Sequence, residues 1–413
     1  MNFPRSRTCA LQVFKLSVFF PLLIAVPVRA ASQQSSPVTL KFFGMHLKDF
    51  AHNPWPSIPF GGWRVAVGWK NLEPEKGAWD FRQTDAEVEA ATERGVDIVF
   101  SMGFTPTWAS SAPDNICPVG KGACVEPRNN DDWRNYVRTV ATRYKNKVKY
   151  FEVWNEPDES TFWKGTDGGL VQLTKATYEV LKGVDPSIQV LSPAPGSPGG
   201  IALLDRLLAA GAGSYIDIVA YHPYVSPEPP ESLYRYFEEV RQVMQKHGLG
   251  QKPLWATEVG WATKPIPDNI QAAYVAETFL LLRAAGAERV FWYQWGNRNE
   301  NTLFLVNEDN VTLTPAGQAF KITEDWMLGA VVTSCDSADK PQIKNPSHAL
   351  WTCKLQRNGK TSYVIWNPDG GMKFTVPQSW TVNRIRDLEN LNKPLPANRE
   401  EILGHQPVLF DQE

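Results

Sequence analysis

The sequence predicts an α/β protein: a (β/α)8 TIM barrel followed by a small C-terminal antiparallel β module of sandwich type. Two observations carry that reading. From about residue 38 to residue 325, short apolar runs alternate with amphipathic stretches, and alternating strand and helix implies a parallel sheet. After about residue 325 the rhythm changes to apolar and polar residues in alternation, broken by turn residues.

The candidate strands of the first region are Leu40–His46, Trp63–Gly68, Val96–Met102, Lys149–Trp154, Ile188–Ser192, Ile216–Tyr221, Leu254–Glu258 and Val290–Trp295. Eight strand–helix units close a barrel, whereas fewer leave an open sheet. Between the strands lie helical stripes. Trp133, Val137, Val140 and Tyr144 share one helical face, and Leu203, Leu204, Leu207 and Leu208 form another stripe. No GxGxxG or GxxxxGK[ST] turn points to a nucleotide-binding sheet. In the second region, Trp351-Thr-Cys-Lys-Leu, Ser362-Tyr-Val-Ile-Trp and Met372-Lys-Phe-Thr-Val alternate in the strand period, with Gly359, Pro368-Asp-Gly-Gly and Pro377 as turn signals. The expected division is therefore residues 1–30 as a leader, 38–325 as the barrel and 326–413 as the β module.

Composition narrows the function. Hydrophobic residues are 43% and charged residues 21%, as in an ordinary folded globule, and a formal net charge of -2 offers no electrostatic grip on nucleic acid. Arg5, Arg7 and Lys15 precede the apolar run Leu16–Val26, and Val28-Arg29-Ala30 is a small-x-small cleavage site. That arrangement predicts a secretory signal cut after Ala30, since the apolar run is short for a membrane span. The expected product is secreted or periplasmic and free of the membrane. Cys9 leaves with the signal. The remaining cysteines form two close pairs, Cys117 with Cys124 and Cys335 with Cys353, and two local bridges are the simplest pairing in an oxidising compartment. No His sits at zinc-ligand spacing from either pair, and no HxH or HExxH pair occurs, so no metal and no cofactor is expected. The 16 Trp are unusual; tryptophans stack on sugar rings and also fill cores.

Active sites of such barrels lie at the carboxyl ends of the strands. The fourth strand ends Phe151-Glu-Val-Trp-Asn-Glu-Pro-Asp and the seventh runs Trp255-Ala-Thr-Glu-Val-Gly-Trp. This places Glu156 and Glu258 on one face, three βα units apart around the ring. Two carboxylates across a cleft are what glycosidic bond cleavage requires: one protonated for the leaving oxygen, the other ionised to attack or stabilise the anomeric carbon. Asn155, beside the acid, is placed to bond a sugar 2-hydroxyl.

Several motifs now stand in order. Gly44-Met-His46 ends the first strand, and Trp69-x-x-Leu72-Glu-Pro74-x-x-Gly77-x-Trp79-x-Phe81 follows the second. Thr105-Pro-Thr-Trp108-Ala, Trp154-Asn-Glu-Pro, Tyr221-His-Pro-Tyr224 and Thr257-Glu-Val-Gly follow on the third, fourth, sixth and seventh. In this order they resemble the clan A glycoside hydrolases, and most of all glycoside hydrolase family 39 and its relatives, over about residues 40–325. The resemblance implies a retaining β-glycosidase in which Glu156 is the acid/base, Glu258 the nucleophile and Asn155 the 2-hydroxyl contact. It further implies that Tyr224 donates to the nucleophile and that Arg64 places positive charge behind it. His46 and His222 become hydrogen-bond donors to sugar or carboxylate. Trp295 becomes the platform under the reacting sugar, flanked by Trp108 and Trp261. The fairly short strand–helix linkers favour an open cleft and a polysaccharide or oligosaccharide substrate. The alternative is a non-catalytic carbohydrate-binding barrel, which has no need of the second carboxylate.

Overall fold

The computed structural model describes residues 36–48, 50, 53–262, 264, 266–296, 302–337 and 350–412; the expected leader, residues 1–30, lies outside them. Eight parallel strands form the barrel: β1 Phe43–Met45, β2 Gly62–Val65, β3 Asp97–Met102, β4 Tyr150–Val153, β5 Gln189–Leu191, β6 Val219–Tyr221, β7 Leu254–Val259 and β8 Arg289–Trp292. Their order is β5-β4-β3-β2-β1-β8-β7-β6, and a parallel bridge between Leu191 and Ile218 joins the two ends. All of the expected strands except β7 come out shorter. Leu40–Phe42 is a turn of 3-10 helix ahead of β1, and β8 stops at Trp292 rather than Trp295.

The helices are α1 Trp69–Leu72, α2 Arg82–Glu93, α3 Asn130–Arg143, α4 Asp167–Val184, α5 Gly200–Ala209, α6 Ser232–Lys246, α7 Asp268–Ala284 and α8 Pro315–Met327. The longer helices form where apolar residues fall on one face, except α7, which is buried on all sides from Val275 to Ala284. In α3, Trp133, Tyr136, Val137, Val140 and Ala141 are buried, and the Asn129 side chain caps the start by accepting from the Asp131 N–H at 2.9 Å. Thr314 does the same for α8, ahead of Pro315 in the first turn.

The strand period of two sorts the barrel interior into layers. The lower layer is apolar and includes Val99, Tyr150, Ala220, Trp255 and Phe291. Gly44 and Gly62 leave room for the Phe291 ring, since a Cβ at Gly44 would stand 2.5 Å from it. Two residues further along the same strands come His46, Arg64, Ser101, Glu152, His222 and Thr257, a polar layer directly beneath the mouth. The barrel interior is thus an apolar plug beneath a polar, charged layer.

The C-terminal strands are β9 Val331–Ser337, β10 Trp351–Arg357, β11 Lys360–Trp366, β12 Met372–Thr375, β13 Arg384–Arg386, β14 Asn392–Pro394, β15 Glu400–Leu403 and β16 Val408–Asp411. Six form an antiparallel sheet, β14-β13-β16-β11-β10-β9, and β12 pairs with β15. Asn358 and Gly359 both take positive φ, as the tight β10–β11 hairpin requires. Ile365, Val376, Val382, Ile385, Leu403 and Phe410 make a small core inside this module. Trp351, Leu355, Val364 and Trp366 instead join the core of the barrel, and the Trp366 indole donates to Glu231 at 2.8 Å. The division expected at residues 325/326 falls within the last turn of α8. Half of the 16 tryptophans, Trp63, Trp69, Trp133, Trp154, Trp255, Trp292, Trp351 and Trp366, are fully buried and serve packing.

Both cysteine pairs are bonded. Cys117–Cys124 pins the β3–α3 connection, residues 103–129, which is much longer than the short linkers expected. Cys335–Cys353 joins partners directly opposite each other on β9 and β10. Among the described residues no helix is long and apolar enough to cross a membrane. Non-reduced peptide mapping should therefore return Cys117 linked to Cys124 and Cys335 linked to Cys353; free thiols or a link between the two regions would contradict these bonds.

Candidate active site

The mouth of the barrel holds a cavity of about 500 Å³, within the usual range of small-molecule sites. Glu156 and Glu258 both line it, with Tyr224, Trp261 and Tyr293 among the walls. Each glutamate arrives by a local departure from regular backbone. In β7, Thr257 already faces inward, so regular alternation would turn Glu258 outward. A register shift between Ala256 and Val259 lets both residues face the interior. After β4, Trp154 and Glu156 take φ of 67° and 39°, a conformation that side-chain-bearing residues adopt only where the surroundings impose it. Gly196 passes so close that a Cβ there would lie 3.0 Å from the Glu156 carboxylate.

Arg64 ties the site together from below. Its Nη1 donates to Glu258 at 2.8 Å, its Nη2 to Asn155 Oδ1 at 2.8 Å and to Ser101 at 3.2 Å, and its Nε to Glu152 at 2.9 Å. Nη2 also donates to the same Glu152 oxygen. Tyr224 adds a second donor to Glu258, its hydroxyl standing 2.6 Å away. Glu156 has no comparable support. Its hydrogen-bond partner is His222, with Nδ1 at 3.0 Å from Oε1, while His222 Nε2 meets the Thr257 hydroxyl at 3.1 Å. His46 donates from Nε2 to the Thr257 carbonyl at 3.0 Å.

The two carboxylates are therefore unequal. Burial pushes Glu156 up to about 7, with the charges of Glu159 and Glu152 adding to the shift and Arg64 opposing it. Burial also raises Glu258, but Arg64 and the Tyr224 hydrogen bond pull in the other direction. His222 is pushed down to about 4, first by burial and then by Arg64, so its imidazole is neutral near pH 7. Tyr224 is held well above the ordinary phenol range, first by burial and then by the neighbouring carboxylates, and so keeps its proton to donate. Glu156, His222 and Glu258 bring ligand-type atoms within 4.8 Å of one another, a spacing a cation also accepts. Here the positive charge at Glu258 is the Arg64 guanidinium.

The sequence-derived site residues divide into two groups. Glu156, Glu258, Asn155, Arg64, His46, His222 and Tyr224 meet in one network, and Trp261 lines the cavity. The other two tryptophans stand apart from it. Trp295 is 3% exposed and does not line the cavity; because β8 ends at Trp292, Tyr293 takes the place at the mouth two residues beyond inward-facing Phe291. Trp108 packs edge-on against Trp69 and donates to the Glu73 carbonyl at 2.9 Å, away from the cavity lining. Sequence reasoning missed Glu152, Ser101 and Tyr293. The signal was present in the strand period, because each lies two residues beyond an inward-facing residue of the layer below.

The sequence pattern of "Glycosyl hydrolases family 39" matches residues 64–280, which hold both glutamates and the Arg64 fork. The chain belongs to this family. Among curated relatives, it is 26% identical over 227 residues to a β-xylosidase of Geobacillus stearothermophilus, covering 48% of this chain and 45% of that protein. It is 22% identical over 321 residues to the β-galactosidase BbgII of Bifidobacterium bifidum, covering 56% and 45%. The chain thus matches about half the length of these curated relatives. A solved family 39 glycoside hydrolase from the gut symbiont Bacteroides cellulosilyticus WH2 superposes with a TM-score of 0.72 at 20% identity, over 92% of this chain and 82% of that one, and so shares the fold.

Tyr224→Phe removes one of the donors that favour ionised Glu258, so the carboxyl must then titrate higher. A hydrogen bond to a charged group is worth about 1.5–3 kcal/mol, which corresponds to about one to two pH units. Carboxyl-labelled NMR of the free protein checks this, and an unmoved Glu258 titration would contradict the assigned contact.

Proposed function

We propose that this family 39 chain is a retaining O-glycosyl hydrolase of β-linked oligosaccharides or polysaccharides, with Glu258 as nucleophile and Glu156 as acid/base. The observation that carries the proposal is the unequal carboxylate pair, with one oxygen of each within 4.8 Å of the other across the cavity. Retaining enzymes hold their carboxyl groups about 5–5.5 Å apart, while inverting ones need about 6.5–9.5 Å to admit a water between them. A pair this close favours direct attack by a carboxylate.

The roles follow from the partners. Glu258, with Arg64 and Tyr224 donating to it, is the better anion and attacks the anomeric carbon. Glu156, pushed up to about 7, is protonated below that pH and gives its proton to the departing oxygen as the C–O bond breaks. The resulting Glu156 carboxylate then takes a proton from the water that opens the glycosyl-enzyme, which frees the sugar and restores both groups. Turnover of substrates with poor leaving groups accordingly falls as pH rises through about 7. Asn155 has its carbonyl oxygen bound by Arg64, so its amide nitrogen is the group turned to a sugar 2-hydroxyl. Trp261 and Tyr293 supply aromatic walls for the ring. The names of the curated relatives, a β-xylosidase and a β-galactosidase, make β-xylosides and β-galactosides the first substrates to test. The two disulfides agree with a secreted or periplasmic site of action.

Product stereochemistry and azide rescue test the proposal together. NMR of the first-formed sugar should show the anomeric configuration of the substrate. With an activated β-glycoside, azide should give the α-glycosyl azide in Glu258→Ala and the β-azide in Glu156→Ala. Swapped azides would reverse the two roles, and an inverted sugar from the unmodified chain would eliminate the two-step route.

A further inference from the structure

The cavity has two walls. Tyr224 stands at Glu258, and Trp261 and Tyr293 continue that wall around the reacting sugar. The wall around Glu156 comes from the β4–α4 connection, with Glu159, Thr161 and Phe162, and from the β5–α5 connection, with Gly196 and Ser197. Both connections hold close to the acid: the Glu159 N–H donates to the Glu156 carbonyl at 3.0 Å, and Gly196 lies against the Glu156 carboxylate. Glu156 gives its proton to the departing oxygen, so the departing group lies along this second wall. The aromatic residue of that wall is Phe162.

Phe162 is fixed from three directions. Its carbonyl accepts from the Trp154 indole at 3.0 Å, and its ring packs against Phe104 with centroids 6.1 Å apart. Two residues on, the Lys164 N–H donates to the Cys124 carbonyl at 2.6 Å and the Lys164 Nζ to the Ile116 carbonyl at 3.0 Å. Those contacts tie the segment to the loop closed by the Cys117–Cys124 bond. The support carries strain at Phe104, which takes φ of 61°, a region that a bulky side chain enters only under constraint. Its ring also needs the space left at Gly68, where a Cβ would stand 2.8 Å from it. Strain kept beside a cavity points to a position that function requires. With all this support Phe162 remains half-buried and lines the cavity.

We propose that Phe162 is the surface on which the leaving-side sugar stacks, and that it sets a preference for glycosides whose leaving group is itself a sugar ring. The apolar face of a pyranose covers an aromatic ring while its hydroxyls turn outward, and Glu159 and Thr161 offer polar groups beside it. A ring held there aligns the departing oxygen with Glu156, so the contact contributes to turnover as well as to affinity. The inference rests on the roles proposed above for Glu156 and Glu258. The same surface serves the second step. A sugar seated on Phe162 presents a hydroxyl to the glycosyl-enzyme: Glu156 takes its proton, its oxygen bonds to the anomeric carbon and the bond to Glu258 breaks. The product is then a new glycoside instead of the free sugar.

β-Glycosyl fluorides isolate this surface, because a departing fluoride has no ring to stack. The comparison uses xylosyl and galactosyl fluorides and β-linked oligosaccharides with the same sugar at the non-reducing end. Phe162→Leu should lower kcat/KM for the oligosaccharide by about tenfold or more relative to the fluoride, as loss of an aromatic contact implies. Phe162→Tyr, which keeps the ring, should hold that ratio within about twofold of the unmodified chain. With a fluoride as donor and a free sugar as acceptor, the unmodified chain should form transfer products, and Phe162→Leu should lower transfer relative to hydrolysis. A packing role alone predicts equal losses on fluoride and oligosaccharide that follow the loss of thermal stability, and that result would overturn the inference. So would an unmodified chain that cleaves a fluoride but neither cleaves oligosaccharides nor transfers to a sugar. If Phe162→Leu does not fold, Phe162→Met makes the same comparison. If neither fluoride is cleaved, the proposed function fails and the inference with it, whereas fluoride cleavage with an unchanged ratio in Phe162→Leu overturns the inference alone.

Discussion

A guanidinium buried above the apolar layer of the barrel is the constraint around which this molecule is arranged. Arg64 is 2% exposed, and a charge in that position persists only with partners in good geometry. It has them: Glu152 from β4, Glu258 from β7, Ser101 from β3 and Asn155 just beyond β4. Removing one partner of such a buried pair typically costs about 3–5 kcal/mol, because the remaining charge is stranded. The same interactions that keep Arg64 tolerable therefore hold Glu258, the amide of Asn155 and Glu152 in fixed relation.

The fold supplies this arrangement through layering. Apolar residues such as Val99, Trp255 and Phe291 plug the lower barrel, and the polar layer stands on them. Low polarity then acts differently on the two glutamates. At Glu258 it meets the guanidinium and the Tyr224 hydroxyl; at Glu156 it meets a neutral imidazole. Burial alone would raise both carboxyls alike, so the difference comes from the donors. Irregular backbone is confined to the places where this geometry must be reached, at Trp154, Glu156 and the shift in β7.

Much of this was legible in the sequence. The alternation of strands and helices predicted the barrel, and the strand-end motifs located Glu156, Glu258, Asn155, Arg64, His222 and Tyr224 in one network. Trp295 was misplaced because strand length is poorly encoded: β8 ends early, so the aromatic nearer the strand, Tyr293, reaches the mouth. Glu152 was overlooked because a glutamate inside a short strand carries no motif until its inward parity is compared with Tyr150 below it. The long 103–129 connection already stood as the gap between the expected strand ending at Met102 and the helical face beginning at Trp133, and the expectation of short linkers passed over it. The β module forms sheets and a small core of its own, and Trp351 and Trp366 also alternate into the barrel's core, a partnership that period-two patterning cannot specify.

The central claim is that Glu258 becomes covalently bonded to the sugar while Glu156 only moves protons. The most direct measurement uses a 2-fluoro glycoside with a good leaving group, because replacing the 2-hydroxyl slows opening of the glycosyl-enzyme enough for it to accumulate. Mass spectrometry of the digested protein should find one added fluoro-sugar, on the peptide carrying Glu258. A sugar on Glu156, or a substrate that is turned over with inversion and leaves no peptide labelled, would contradict the account.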